Sequence, residues 1–334
     1  MKVAILAPVA WRTPPRHYGP WEQVASNIAE GLVKLGIEVS LFATGDSITG
    51  GNLYSICDTG YEEDRSQDAK VLECLHISNL MERSGEFDII HNNFDFLPLT
   101  YSGLIKTPVI TTIHGFSSPR IIPVYKKYNS IGHYVSISNS DRSPDLDYLA
   151  TVYNGLNVDQ FEFNDRSDDY LLYFGRIHHD KGTAEAIEIA KKSKHKLLIA
   201  GLIQDENYFN EKVKPHLSPG IVYIGNAEPE KRNELLRNAY ALLHPINFNE
   251  PFGMSVAEAM LCGTPVIAFN KGSMPELIRH EKTGFLVDNI DEAVEAVNEV
   301  KNINRRDCQE WSESQFSCDK MVGDYLQLYK EILT

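Results

Sequence analysis

The chain has 334 residues, 43% of them hydrophobic, with 32 basic and 46 acidic side chains and a net charge of −14. That length suits two domains with real cores, and the acidic balance excludes a nucleic-acid surface, which needs a basic field. No run of about 18 apolar residues is present to span a membrane, and five scattered cysteines without a CxxC pair predict free thiols in a reducing, cytoplasmic compartment.

Val3-Ala-Ile-Leu-Ala reads as a buried parallel strand. A leader peptide is the alternative, but the apolar run is short and ends in Arg12-Thr-Pro-Pro, with no small-residue cleavage site. The loop that follows carries Trp11, Arg16, Tyr18, Gly19 and Trp21. Its aromatic side chains pack on a neighbour or stack on an acceptor sugar or aglycone. Glu22 to Leu35 places Val24, Ile28, Leu32 and Leu35 on one stripe, a helix that Gly36 stops. Glu38 to Ala43 is the next strand, so the chain opens with a βαβ unit and a parallel sheet. The glycines here do not spell GxGxxG, so no dinucleotide site is expected.

Asp46 to Arg65 reads as loop and Asp68 to Arg83 as helix. Two further strands follow, starting at Asp88 and Thr107, and each leads to a histidine: His91, followed by Asn92, and His114. Ligands of doubly wound sheets gather at the carboxyl ends of strands, so all three are candidates, although a lone histidine such as His91 is more often structural. Val135 begins the last strand of this half. Asp145-Leu-Asp147 has a metal-binding pattern, but Ser143-Pro144-Asp145 reads better as the start of a helix, and no metal site is expected. The charged stretch from Phe161 to Asp169 predicts the domain boundary, giving domains 1–163 and 164–318.

The second half repeats the pattern. Leu171 to Arg176, Lys196 to Gly201, Gly220 to Asn226 and Ala241 to Pro245 read as strands, with helices over 183–192 and 229–238. Gly175, Gly201 and Gly225 end strands where a ligand or backbone comes close. Arg176 and Lys181 flank a tight loop, and two cations there would neutralise a diphosphate; the alternative is two ordinary surface charges.

Asn249 to Phe269 is the most informative stretch: loop, helix, turn and buried strand. Phe252-Gly253 precedes a helix from about Met254 to Cys262, which Gly263 stops. Val256, Ala259 and Met260 form its packing face, with Ser255 and Glu258 on another. Glu258 lies roughly 7 Å along the axis from Gly253 at about 1.5 Å per residue. The amides of Gly253, Met254 and Ser255 then form an anion site between two carboxylates, Glu250 and Glu258. Each acid taken alone is as readily a solvated charge.

Glu250-Pro-Phe-Gly followed by Glu258-Ala-Met resembles the signature of retaining glycosyltransferases of family 4. Gly175-Arg176, four residues, Lys181-Gly182 is similar to that family's donor-phosphate motif. His114-Gly115, the Asn154-Gly155 turn and the run from Gly19 to Ala43 extend the likeness over nearly the whole chain, most strongly from Gly175 to Val287. One departure is Pro20, where the family usually has a second glycine; proline offers no amide to a ligand. The resemblance implies an α/β GT-B fold, two Rossmann-like domains facing each other across a cleft, with the helix over 319–334 packing back on the first. It implies metal-independent, cofactor-free transfer of a glycosyl group from a nucleotide sugar, UDP favoured over GDP, to a sugar, lipid-linked or small-molecule acceptor. Arg176 and Lys181 would hold the diphosphate, Glu258 the ribose, and Glu250 and His114 the sugar. Gly19, Gly175, Gly225 and Phe252 to Ser255 would line the donor; Trp11, Arg16, Tyr18, Trp21, His91 and Asn92 would face the acceptor. A sugar-nucleotide epimerase of the same fold and a non-catalytic binding subunit are the alternatives. Residues 1–160 carry 12 basic and 18 acidic side chains, which disfavours docking on anionic lipid, with Lys126-Lys127 a local exception.

Overall fold

A computed structural model of the chain describes residues 1–334 apart from Tyr18, Ser117 and Glu228. The chain forms two units, Met1–Gly155 with Cys318–Thr334, and Leu156–Ser317.

Unit 1 contains β1 (Lys2–Leu6), α1 (Pro20–Lys34), β2 (Glu38–Phe42), β3 (Asn52–Tyr54), α2 (Ala69–Met81), β4 (Ile89–Asn92), β5 (Val109–Ile113), α3 (Ile122–Tyr128), β6 (His133–Ser136) and β7 (Tyr148–Thr151). The strands form one parallel sheet in the order β3-β2-β1-β4-β5-β6-β7. Because side chains alternate along a strand, β1 feeds two cores. Val3 and Ile5 pack with Val24, Ile28 and Leu32 of α1, while Ala4 and Leu6 pack with Ile77 and Leu80 of α2. Both sheet faces are therefore covered, as a parallel sheet requires.

Two sequence expectations change here. The stretch read as loop over 46–65 contains β3, a short and largely exposed edge strand. Its backbone runs so close to β2 that a side chain on Gly51 would sit 2.5 Å from the Val39 carbonyl. No helix opens at Pro144. The Ser143 hydroxyl accepts the Asp145 amide at 3.3 Å, making a turn that leads into β7. Asp145 pairs with Lys126 at 3.3 Å, and Asp147 accepts the Asn129 amide group at 2.7 Å.

Unit 2 contains β8 (Tyr170–Phe174), α4 (Thr183–Ser193), β9 (Lys196–Ala200), α5 (Glu206–Tyr208), β10 (Ile221–Tyr223), α6 (Pro229–Asn238), β11 (Ala241–His244), α7 (Met254–Leu261), β12 (Val266–Phe269), α8 (Met274–Leu277), β13 (Gly284–Val287), α9 (Ile290–Glu299) and α10 (Arg305–Phe316). Its parallel sheet has the order β10-β9-β8-β11-β12-β13. The unit begins at Leu156, ahead of the boundary read at 163/164, because the intervening apolar residues belong to it. Leu156 bridges Ser317, Arg232 lies over the Phe161 ring and Arg306 over Phe163.

The last helix, α11 (Cys318–Leu333), belongs to unit 1. Met321, Val322, Tyr325, Leu328 and Tyr329 complete the core that α1 begins. The two helices approach so closely that a side chain on Gly31 would lie 2.4 Å from Val322.

Candidate active site

In unit 2 the strand order reverses between β8 and β11, the position where open α/β sheets bind ligands at their carboxyl ends. Close backbone packing shapes that edge. A side chain on Gly201 would lie 1.8 Å from the Gly175 carbonyl, and one on Gly182 would lie 2.0 Å from the Pro245 carbonyl. The loop from Gly175 to Gly182 is held at both ends by Tyr173. Its hydroxyl donates to the Arg176 carbonyl at 2.9 Å and lies 3.2 Å from the Lys181 carbonyl. Arg176 donates to the Gln204 side chain.

Lys181 reaches the loop after β11, where its Nζ lies 2.5 Å from Oε2 of Glu250 and 4.6 Å from the Phe248 ring centre. The Glu250 loop is itself braced. Ser273 donates its amide to the Glu250 carbonyl at 3.0 Å and its hydroxyl to the Phe252 carbonyl at 2.7 Å. Gly253 then opens α7 with a φ of 91°, a left-handed conformation that favours glycine, and among the described residues no side chain caps the helix start. The amides of Met254 and Ser255 follow it in the first turn. One turn further, Glu258 is buried, with Oε1 3.3 Å from Nη1 of Arg232. Burial raises its pKa and the Arg232 charge opposes the rise. Glu258 therefore lies on a covered face of α7, as does every residue from Val256 to Leu261, and it is not the solvated charge that either acid alone could have been. Gly225 adopts a φ of 84° after β10, and its carbonyl accepts the Gly201 amide at 2.9 Å.

Sequence reasoning missed three residues here: Tyr173, Arg232 and His244. His244 ends β11, its Nε2 is buried with no hydrogen-bond partner among the described residues, and burial lowers its pKa to about 4. The signal available was positional, since His244 ends its strand as His114 follows its own. Among the described residues one cluster, His178, His179 and Asp205, has metal-ligand chemistry; its ligand atoms lie within 4.8 Å of one another.

In unit 1, His114 follows β5. It is buried, its Nε2 lies 3.1 Å from Oδ1 of Asn93, and Trp21 stacks on it at 5.4 Å between ring centres. Burial lowers its pKa to about 3, so the ring is neutral at physiological pH. Gly19 precedes α1 with a φ of 152°, and a side chain there would meet Glu22 and Pro15 at 2.9 Å. Pro20 occupies the first turn of α1, where its missing amide would have had no partner within the helix. Trp11 and Trp21 line one cavity. Tyr18 lies outside the described residues.

Two acceptor-side expectations are corrected. His91 is fully buried; Tyr329 occupies Nδ1 at 2.6 Å and Thr112 occupies Nε2 at 2.7 Å, so both ring nitrogens serve the core. Asn92 is fully buried and donates to the Asp95 carbonyl at 2.8 Å. Arg16 is half exposed and pairs with Asp46 at 2.9 Å and Glu63 at 2.8 Å.

Residues 157–315 match the family described as glycosyl transferases group 1. Unit 2 is a group 1 glycosyltransferase domain. Over 99% of its length the chain is 23% identical to an uncharacterized glycosyltransferase, MJ1607, of Methanocaldococcus jannaschii, covering 98% of that protein. Among solved structures, sucrose-phosphate synthase (tll1590) from Thermosynechococcus elongatus superposes with a TM-score of 0.79 at 17% identity, covering 99% of this chain and 98% of that one. Anabaena Alr3699/HepE, solved in complex with UDP and glucose, superposes with a TM-score of 0.73 at 17% identity, covering 99% of each chain. The group 1 glycosyltransferase domain thus sits in a chain with the two-domain α/β fold called GT-B. Among the described residues no helix is long and apolar enough to cross a membrane.

Proposed function

We propose that the protein is a retaining hexosyltransferase of family 4, transferring a glycosyl group from a nucleotide sugar, UDP in preference to GDP, to an acceptor hydroxyl without a divalent ion. The observation that carries this reading is the Lys181–Glu250 pair at 2.5 Å beside the uncapped start of α7, with Glu258 buried one turn on. Cation, helix amides and two carboxylates match a ligand with a diphosphate between a ribose and a sugar. The UDP-bound HepE neighbour favours uridine as the base.

In this mechanism Arg176, Lys181 and the α7 amides bear the charge that grows on the departing diphosphate, a stabilisation greatest in the transition state. Glu258 accepts from the ribose hydroxyls and Glu250 orients the sugar. His114 offers a neutral imidazole to a sugar hydroxyl. A base whose pKa lies near 3 is poorly matched to deprotonating an alcohol, which argues against an inverting mechanism through His114. The C1–phosphate bond breaks, the acceptor oxygen bonds C1 on the same face, and its proton passes to the departing phosphate oxygen.

The test is to screen UDP, GDP and their sugars by thermal shift, then read the anomeric coupling of fresh product by proton NMR. An α-linked product from an α-linked gluco-configured donor is expected; a β-linked product overturns retention.

A further inference from the structure

Two loops leave the carboxyl edge of the unit 2 sheet side by side, 175–182 after β8 and 201–205 after β9. Their backbones are locked in register. Ile177 bridges Ile203, and the Ile177 carbonyl accepts the amides of Gln204 and Asp205, each at 3.1 Å. That register brings His178 and His179 of one loop against Asp205 of the other. We propose that these three side chains form a site for a transition-metal ion of the zinc or nickel kind, which staples the two loops together and takes no part in the transfer chemistry.

The donor set and its spacing make the argument. Bonds of about 2.0–2.1 Å in a tetrahedral zinc site place neighbouring ligand atoms about 3.3 Å apart. Nδ1 of His179 lies 3.1 Å from Oδ2 of Asp205, and the three ligand atoms lie within 4.8 Å of one another. The two imidazoles are 4.0 Å apart between ring centres and tilted by 35°, so they offer their edges to one neighbourhood. Asp205 is aimed from behind. Its Oδ1 accepts the Tyr208 amide at 2.9 Å, which caps α5 and leaves Oδ2 toward the histidine. Asp180 adds a second carboxylate, 3.4 Å from Nδ1 of His178 and 3.2 Å from Nε2 of His179.

This arrangement calls for a cation. His179 has a carboxylate oxygen at each ring nitrogen, yet a neutral imidazole carries a single N–H, so one contact sets acceptor against acceptor. A metal ion between the groups removes that conflict. Imidazole nitrogens select zinc, nickel or copper over magnesium and calcium, which prefer all-oxygen ligands. No sequence motif announces the site, because Asp205 is 26 positions from His179.

None of these residues holds the donor in the mechanism above, but their loop carries Arg176 and Lys181 near its two ends. Arg176 also donates to Gln204 on the second loop. Resting on the transferase reading, a filled site pre-orders the cations that meet the diphosphate, so the metal and UDP raise each other's affinity.

The test titrates Zn²⁺, Ni²⁺, Mg²⁺ and Ca²⁺ calorimetrically into the full chain. Zn²⁺ and Ni²⁺ should bind at one per chain, at least tenfold more tightly than Mg²⁺ and Ca²⁺. His178→Ala with His179→Ala, and separately Asp205→Asn, should each weaken Zn²⁺ at least tenfold; asparagine caps a helix as well as aspartate does, so α5 is kept. Two controls should change nothing: His280→Ala, an exposed histidine 3.8 Å from Glu281, and Cys74→Ser, an exposed thiol. Full Zn²⁺ binding in either loop variant, loss of it in either control, or binding no tighter than that of Mg²⁺ overturns the site. UDP is then titrated with and without Zn²⁺. At least threefold tightening is expected in the unaltered chain and none in Asp205→Asn, a contrast that pairing of Zn²⁺ with UDP in solution cannot produce. Equal UDP affinity with and without Zn²⁺ overturns the coupling and leaves the metal site; no UDP binding in either condition removes the transferase reading and also leaves the metal site.

Discussion

Lys181 and Glu250 lie 2.5 Å apart although they are 69 positions apart in sequence, and both side chains are largely covered. The lysine proposed for the diphosphate is therefore already held by the carboxylate proposed for the sugar, so the two substitutions should act in different ways. Lys181→Ala removes a charge-assisted contact and should weaken UDP binding by about 1.5–3 kcal/mol. Glu250→Gln releases the lysine, so UDP affinity should hold or rise while turnover falls on the order of 10²-fold. Calorimetry and steady-state rates on the same preparations check both, and a parallel loss of UDP affinity in Glu250→Gln would contradict the assignment.

Glu258→Ala should weaken nucleotide binding by about 1–3 kcal/mol, the range of a hydrogen bond to a charged group. It also leaves Arg232 without its carboxylate, so Arg232→Ala is the needed comparison. If Arg232→Ala costs as much nucleotide affinity as Glu258→Ala, the pair is a structural brace and not the ribose site.

Glu22 gives a pH dependence with a definite sign. Its folded pKa is about 7 against an ordinary 4.5, so the folded state holds a proton that the unfolded state has released between those values. The stability this confers is present below about pH 4.5 and is lost as pH rises to 7. Glu22→Gln, which cannot ionise, should therefore stabilise the protein at pH 8 by up to about 3 kcal/mol and change it little at pH 4. Urea denaturation at the two pH values measures this, and equal effects at both would place Glu22 in a better-solvated site.

Activity should survive a chelator. Should it fall and return with Mn²⁺, two variants identify the ligands. His179→Ala tests the His178, His179 and Asp205 cluster beside the phosphate loop, and Asp147→Ala tests the DxD pair. The structure favours the first outcome of that pair, since Asp147 already bonds Asn129 and Asp145 pairs with Lys126.

His91 offers a check on the correction made in unit 1. Tyr329→Phe strips the partner from His91 Nδ1 in a fully buried site, which should cost about 1–3 kcal/mol of stability and leave UDP affinity unchanged. A selective loss of acceptor KM at wild-type stability would return His91 to the acceptor site.

The interior strands were readable because burial on both faces turns them into short apolar runs, as in Val3 to Ala7 and Val266 to Phe269. The edge strands β3 and β7 were not, since each is only three or four residues long and partly exposed, too short for the pattern to show. At the site, Lys181, Glu250 and Glu258 were legible from spacing within single loops and one helix. Tyr173, Arg232 and His244 were not, because each gains its meaning from a partner on another element: Tyr173 from the loop ends it clamps, Arg232 from Glu258, His244 from the buried edge of the sheet. His91 and His114 follow the same local pattern, and only burial and hydrogen bonding separate the core residue from the candidate.

The return of α11 to unit 1 also bears on how the protein is made. Synthesis runs from the amino end, and Leu156–Ser317 emerges whole before Cys318 does. At roughly 5–20 residues per second, that stretch occupies the ribosome for about 10–30 s. Throughout that interval the sheet of unit 1 lacks Tyr325 and Tyr329, and His91, Thr112 and the apolar face of α1 stand uncovered. Unit 1 is thus begun before unit 2 and finished after it, and until α11 arrives its core stays incomplete.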